Sequence, residues 1–236
     1  HLKIPKILDL PDAFSLYFKR RNQTKRPFLN KLIDSIEIGR LVKAEEVIIS
    51  YNKTLVCSKE DKRYLEKLHK TNNVDILLNG VDLNTFTHGG NHNYQPNDCL
   101  LFTGNMDYAP NIDAVQYFVK EMWPQILEKN PQTKFIIAGQ RPVDVVRKLA
   151  NKSIIVTGFI PDLSEMYAKA SVVIAPLRFG AGTQNKVLEA MAMGVPTVCT
   201  NIGFEGLQIK SGEGVILAKT KANFIKEVCD LLSDQF

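Results

Sequence analysis

The sequence predicts an α/β protein built on a doubly wound, Rossmann-like parallel sheet. Three observations carry that expectation. In the second half, short apolar runs alternate with helical patterns six times over. The runs are four to six residues long and mostly unalternated, as in strands buried on both faces. Glycine directly follows three of them, where the chain of such a sheet turns outward to meet a ligand. The 236 residues are 44% hydrophobic and 23% charged. That composition excludes disordered, collagen-like and disulfide-scaffold classes.

Taken in order, Lys6–Leu10, Thr54–Cys57 and Val74–Leu78 read as strands, and Phe28–Val42 and Lys59–Lys70 as helices. Ser58 starts the second helix, with Glu60 and Asp61 in its first turn. Three strands are too few for a complete doubly wound domain. Residues 1–83 are therefore expected to be part of one, with Ile7, Leu8, Leu10, Ile48 and Ile49 needing other cover. The Asn/Gly/His-rich residues 84–96 read as a linker. Residues 97–236 read as a nearly whole second domain with strands at Leu100–Thr103, Lys134–Ala138, Ile154–Thr157, Val172–Leu177, Thr197–Thr200 and Val215–Ala218. Ile112, Val115, Phe118, Val119, Met122 and Ile126 recur at helical spacing, with Asn111 placed to cap that helix and Asp113 to favour its dipole. Val187, Leu188 and Met191 form a second stripe, closed by Gly194 and Pro196. Phe224, Ile225, Val228, Leu231 and Leu232 form the last. Alternation of this kind implies right-handed crossovers in a parallel sheet.

No apolar run approaches the ~18 residues that span a bilayer, and no signal peptide opens the chain. The four cysteines, Cys57, Cys99, Cys199 and Cys229, make no ligand pairs and sit mostly in or beside apolar runs. They read as small buried hydrophobes in a reducing cytoplasm. Net charge is +5, but residues 1–80 carry 16 Lys/Arg against 10 Asp/Glu. Five of those bases are Lys19, Arg20, Arg21, Lys25 and Arg26. The segment reads as a solvated helix end, or as a patch giving peripheral contact with anionic lipid on the inner membrane face. Few aromatics interleave it, so no nucleic-acid partner is expected. Walker A, HExxH, GxSxG and Asp-x-Asp patterns are absent. His88 and His92 frame HGGNH but offer too few ligands for a metal site; neither a metal nor a cofactor is expected.

Ligands of an open parallel sheet bind beyond the carboxyl ends of its strands. The segments placed there are Gly104-Asn105-Met106, Gly139-Gln140-Arg141, Gly158-Phe159-Ile160, Arg178 to Asn185 and Thr200 to Gly206. Gly180 and Gly182 lie just before a helix start, which suits an anion such as phosphate. The third glycine of the dinucleotide fingerprint is replaced by Asn185.

The stretches LFTGNMDYAPNIDAVQYF, FIIAGQRP and VTGFIPDLSEMYAKASVVIAPLRFGAGTQNKVLEAMAMGVPTV, in that order, resemble the C-terminal donor domain of GT-B glycosyltransferases of family 4. The similarity is greatest to bacterial sugar transferases of exopolysaccharide synthesis. LLNGVDLNTF is similar to the family's interdomain segment, and LDLPDAFSLYFKRR to the late part of its N-terminal domain. The resemblance thus runs through nearly the whole chain, and implies a chain shortened at both ends.

The resemblance implies roles residue by residue. Glu189 matches the second acid of the family's paired-glutamate motif, which holds the ribose hydroxyls; a carboxylate accepts two such donors well. Without that role, Glu189 would be half of a Lys186–Glu189 helix ion pair. Gly158, Phe159 and Ile160 match the loop at the base. Gly180, Ala181, Gly182, Thr183, Gln184 and Asn185 match the loop and helix start beneath the diphosphate, and Gly104 the glycine near the sugar phosphate. Ala181 stands where the first motif acid is usual, and Asn105 where an arginine is usual. Arg178 or Lys186 would then clamp the diphosphate. The implied activity is transfer of a hexose from a nucleotide diphosphate-sugar to a polysaccharide or lipid-linked acceptor, without an obligatory metal. Retention of configuration is implied by the family and left open by Ala181. The family's catalytic groups lie upstream of any matching segment, so the chain alone is expected to bind nucleotide without transferring sugar. It is also expected to pair with a second copy through an open sheet edge. The alternative is a nucleotide-binding or interaction module without turnover.

Overall fold

The computed structural model describes residues 4–87 and 98–233. His88 and His92, and most of the segment read as a linker, lie outside them. The chain forms two compact units. The first comprises His1–Asn79, Arg178–Gln184 and Glu205–Gln208; the second comprises Gly80–Leu177, Asn185–Phe204 and Ile209–Phe236.

The first unit contains β1 (Ile7–Asp9), α1 (Phe14–Gln23), α2 (Phe28–Glu45), a short 3-10 helix (Glu46–Ser50), β2 (Lys53–Val56), α3 (Lys59–His69) and β3 (Val74–Ile76). The strands pair in parallel in the order β1-β2-β3, with Leu8 opposite Thr54 and Leu55 opposite Asp75. Ser58 caps α3 as the sequence predicts, its hydroxyl accepting the Asp61 N–H at 3.0 Å. The core is Ala13, Ile48, Val56, Leu65 and Val74, with Leu8, Leu10, Leu16 and Tyr64 packed against it. This corrects part of the expectation about uncovered apolar residues. Leu8, Leu10 and Ile48 find cover inside the unit, and Ile7 and Ile49 stay exposed. The bases from Lys19 to Arg26 mark a helix end in the sequence but do not delimit the helix, and α1 starts before them at Phe14, with Tyr17 buried.

The second unit contains β4 (Cys99–Thr103), α4 (Ala109–Glu121), α5 (Trp123–Lys129), β5 (Lys134–Ala138), α6 (Asp144–Arg147), β6 (Ile154–Gly158) and α7 (Ser164–Ala168). It continues with β7 (Val172–Ala175), α8 (Asn185–Ala192), β8 (Thr197–Cys199), α9 (Asn201–Phe204), β9 (Val215–Leu217) and α10 (Lys221–Leu232). Its strands are all parallel, in the order β6-β5-β4-β7-β8-β9. Counted within the unit this is the Rossmann order, and the direction of winding reverses between β4 and β7. Both strands are buried along their whole length, as their unbroken apolar runs require. Phe118 anchors the helical layer against Phe135, with ring centroids 4.9 Å apart, and against Trp123 and Phe224. All four cysteines are buried and unbridged.

One capping expectation fails. Helix α4 starts at Ala109 after Tyr108, with Pro110 in its first turn. Proline's fixed φ favours that early start. Asn111 is therefore inside the helix and buried, and Asp113 lies past the first turn.

Candidate functional site

The reversal between β4 and β7 places the ends of these strands around one crevice position, and the chain puts polar groups there. Thr103 ends β4 and Gly104 follows with φ +151°. A Cβ at Gly104 would lie 2.6 Å from Asn111 Nδ2, so the close approach of Asn111 requires glycine. Asn111 Nδ2 donates to the Asn105 carbonyl at 3.0 Å, and Asn111 Oδ1 accepts from Lys186 Nζ at 3.3 Å. The Lys186 ammonium is buried and lies 5.1 Å from the centre of the Phe102 ring. Burial pulls it down to about 8, against the opposing influence of the Glu189 carboxylate. The buried Asn105 Oδ1 has no hydrogen-bond partner among the described residues.

Lys186 and Glu189 are three residues apart in α8 and share a face. Glu189 Oε2 accepts the Tyr167 hydroxyl at 2.6 Å, and that hydroxyl lies 2.7 Å from Thr103 Oγ1. Tyr167 is fully buried, and burial with the Glu189 charge beside it pushes its phenol well above the usual tyrosine range. The loop after β6 supplies Gly158 at φ +76° with open space around it, then Phe159, whose surface is 72% exposed. Ile160 turns inward onto the cluster around Tyr167 and Leu101. The constellation offers a cation and a helix start to an anion, a carboxylate to hydroxyl donors, and an exposed ring to a flat apolar group.

Of the sequence-predicted site residues, Gly104, Asn105, Gly158, Phe159, Ile160, Asn185, Lys186 and Glu189 belong to the second unit. Gly104, Asn105, Lys186 and Glu189 are linked there through Asn111, Tyr167 and Thr103. Arg178, Gly180, Ala181, Gly182, Thr183 and Gln184 group with the first unit. Within it, the Gly182 N–H donates to Asp61 Oδ2 at 2.8 Å, and the Thr183 N–H to Cys57 Sγ at 3.3 Å. Thr183 Oγ1 donates to the Cys57 carbonyl, and Gly180 O accepts from Arg20 Nη1 at 2.8 Å. The Gly182 amide, expected beneath a diphosphate, is thus taken by a buried carboxylate. Ala181 is buried.

Sequence reasoning missed Asn111 as a link, Tyr167, Thr103 and a second group. Asp12, Cys57 and Asp61 place ligand-type atoms within 4.8 Å of one another in the first unit. Asp61 is fully buried, and its Oδ1 has no hydrogen-bond partner among the described residues. Burial and the neighbouring Asp61 charge push Asp12 up to about 6. The donor set would suit a small cation or a proton shared by the carboxyls. LDLPDAF and VCSKED carry these residues, but their meeting depends on the β1–β2 pairing, which no local spacing reveals.

The basic segment is not a solvated helix end throughout. Arg21 and Arg26 both pair with the buried Asp34, Arg26 at 2.7 Å, and Arg20 pairs with Glu205 at 2.7 Å. Lys19 Nζ lies 5.6 Å from the centre of the Tyr64 ring. Among the described residues no helix is long and apolar enough to cross a membrane.

A family model described as glycosyl transferases, group 1, matches residues 97–234. An uncharacterised 44.6 kDa protein in the cps region of Klebsiella pneumoniae is 26% identical over 138 residues, which are 55% of this chain and 36% of that protein. Sucrose-phosphate synthase from Thermosynechococcus elongatus superposes with TM-score 0.71 at 17% identity, over 97% of this chain and 58% of that one. HepE from Anabaena, solved with UDP and glucose, gives 0.67 at 13%, over 97% and 61%. TarM from S. aureus, solved with fondaparinux, alpha-GlcNAc-glycerol and UDP, gives 0.68 at 16%, over 83% and 40%. These likenesses show the GT-B-like α/β fold. The chain spans about a third of the curated relative's length (36%).

Proposed function

We propose that this chain, which belongs to the group 1 glycosyl transferases, is the donor-binding part of a hexosyltransferase for cell-surface polysaccharide. The whole protein would move a sugar from a nucleotide diphosphate-sugar to a polysaccharide or lipid-linked acceptor. The observation that carries the reading is the buried Lys186, held by Asn111 and one helical turn from Glu189, at the switch point of the sheet. In this reading the diphosphate meets the Lys186 ammonium and the start of α8. The ribose hydroxyls meet Glu189, and the base stacks on Phe159 over Gly158. The charge that develops on the leaving diphosphate is met by fixed groups of the protein, so the step requires no metal. The UDP held by HepE and TarM supports the donor class, and the cps-region relative supports the pathway.

Arg178 belongs to the first unit, and Lys186 is the clamp of this proposal. Ala181, where the family motif has an acid, favours a second reading: nucleotide binding without turnover. Cytoplasmic placement, lipid contact through Lys19 and Lys25, and pairing of two copies along the open edge of β1 belong to the same proposal. Calorimetry of this chain with UDP, GDP and ADP, followed by assay of sugar transfer and of donor hydrolysis by the full-length protein, tests it. Binding by the chain with transfer by the full-length protein supports the first reading, binding with neither reaction in the full-length protein the second, and no binding contradicts both.

A further inference from the structure

We infer that Tyr167 is a positioning residue for the nucleoside, presenting Glu189 to the ribose through a directed chain of hydrogen bonds that starts at Thr103. The inference rests on the reading that Glu189 holds ribose hydroxyls.

A tyrosine hydroxyl has one proton to give. Three acceptor-capable oxygens surround that of Tyr167: Glu189 Oε2 at 2.6 Å, Thr103 Oγ1 at 2.7 Å and the Lys186 carbonyl at 3.3 Å. The carboxylate is the strongest acceptor and the closest, so it takes the proton; hydrogen bonds to an ionised acceptor are the short, strong ones. The Tyr167 oxygen is then an acceptor, and the Thr103 hydroxyl donates to it. The direction of the chain, Thr103 to Tyr167 to Glu189, follows from this count together with the carboxylate being the stronger acceptor.

Two consequences bear on the ligand. Tyr167 engages Oε2, which restrains the carboxylate before the nucleotide arrives; in this inference the ribose hydroxyls take Oε1. Fixing a group in advance removes an ordering cost from binding. The ring itself cannot swing: it is fully buried and meets Phe86 edge-on with centroids 5.8 Å apart. Thr103 is the last residue of β4, next to Gly104. One phenol therefore ties the strand end at the phosphate side to the carboxylate at the ribose side, across the point where the sheet reverses.

The test is calorimetric titration of this chain with the tightest binder among UDP, GDP and ADP, and with its 2′-deoxy and 3′-deoxy analogues. The expected result for wild type is tighter binding of the ribonucleotide than of at least one deoxy analogue. Tyr167→Phe keeps the ring and removes only the hydroxyl. It should shrink that discrimination several-fold while deoxy binding changes little, and Thr103→Val should act in the same direction more weakly. A purely structural role would weaken all nucleotides alike and leave the ratio intact, which would overturn the inference. Retained discrimination in Tyr167→Phe alongside lost discrimination in Glu189→Gln would overturn the inference and spare the ribose reading. Unchanged discrimination in Glu189→Gln, or no nucleotide binding at all, would overturn both.

Discussion

Lys186 Nζ lies 3.3 Å from Asn111 Oδ1, and the other end of the Asn111 amide grips the Asn105 carbonyl at 3.0 Å. A single buried amide thus joins the loop after β4 to the first turn of α8. The orientation is forced, because an ammonium can only donate and a carbonyl can only accept. The Lys186 charge is thereby fixed next to the end of β4.

The first prediction concerns that charge. With the ammonium pulled down to about 8, nucleoside diphosphate affinity should fall as pH rises through about 8, since the neutral amine loses its attraction for phosphate. Lys186→Met should bind more weakly by at least about tenfold, on the order of the 1.5–3 kcal/mol of a hydrogen bond to a charged group. It should also lose the pH dependence in that range. Titration of nucleotide into both proteins between neutral and alkaline pH measures it.

A second prediction follows from Asp12. Its native carboxyl is raised from 3.8 to about 6, so the folded state holds that proton longer than the unfolded chain does. For a raised acid, the unfolded state gives up its proton first as pH rises. This group's contribution to stability therefore falls between roughly pH 4 and 6. Asp12→Asn should remove the dependence and raise the melting temperature at neutral pH, by about 2–4 °C for each 1 kcal/mol gained. Thermal melts of the two proteins across that window check it, and parallel curves would reject it.

Asp34 gives a third. It is buried and carries both Arg21 and Arg26. Asp34→Ala leaves two guanidinium groups without their carboxylate, and removing one partner of a buried pair costs about 3–5 kcal/mol. The value here should lie toward the lower end, because both arginines keep some solvent contact. Urea unfolding gives the difference directly.

Gly104→Ala is the fourth. The backbone there has positive φ, and a Cβ would crowd the Asn111 amide. Asn111 would have to leave Lys186 or Asn105. Nucleotide affinity should fall, and crystallographic comparison should show the Asn111 side chain displaced.

Much of this architecture is legible in the sequence, for physical reasons. Leu100–Thr103 and Val172–Ala175 are unbroken apolar runs because both faces are buried, and that burial is visible residue by residue. Ser58 announces its helix because a cap is a local device. Asn111 misled for the same reason: a cap residue before an apolar stripe looks local, whereas Pro110 had already started the helix and the amide was used across the site. Tyr167 meets Glu189 from 22 positions away, and Asp12, Cys57 and Asp61 meet only through strand pairing. The arginines between 19 and 26 read as solvated because nothing in their own segment shows Asp34 or Glu205 waiting for them.

The most direct measurement of the central claim is calorimetric titration of UDP, GDP and ADP into wild type, Glu189→Gln and Lys186→Met. The account predicts that at least one nucleotide binds wild type, and that each substitution weakens it by on the order of 1–3 kcal/mol with the fold intact by circular dichroism. Nucleotide affinity unchanged in both variants, or no binding to the wild-type chain, would contradict it.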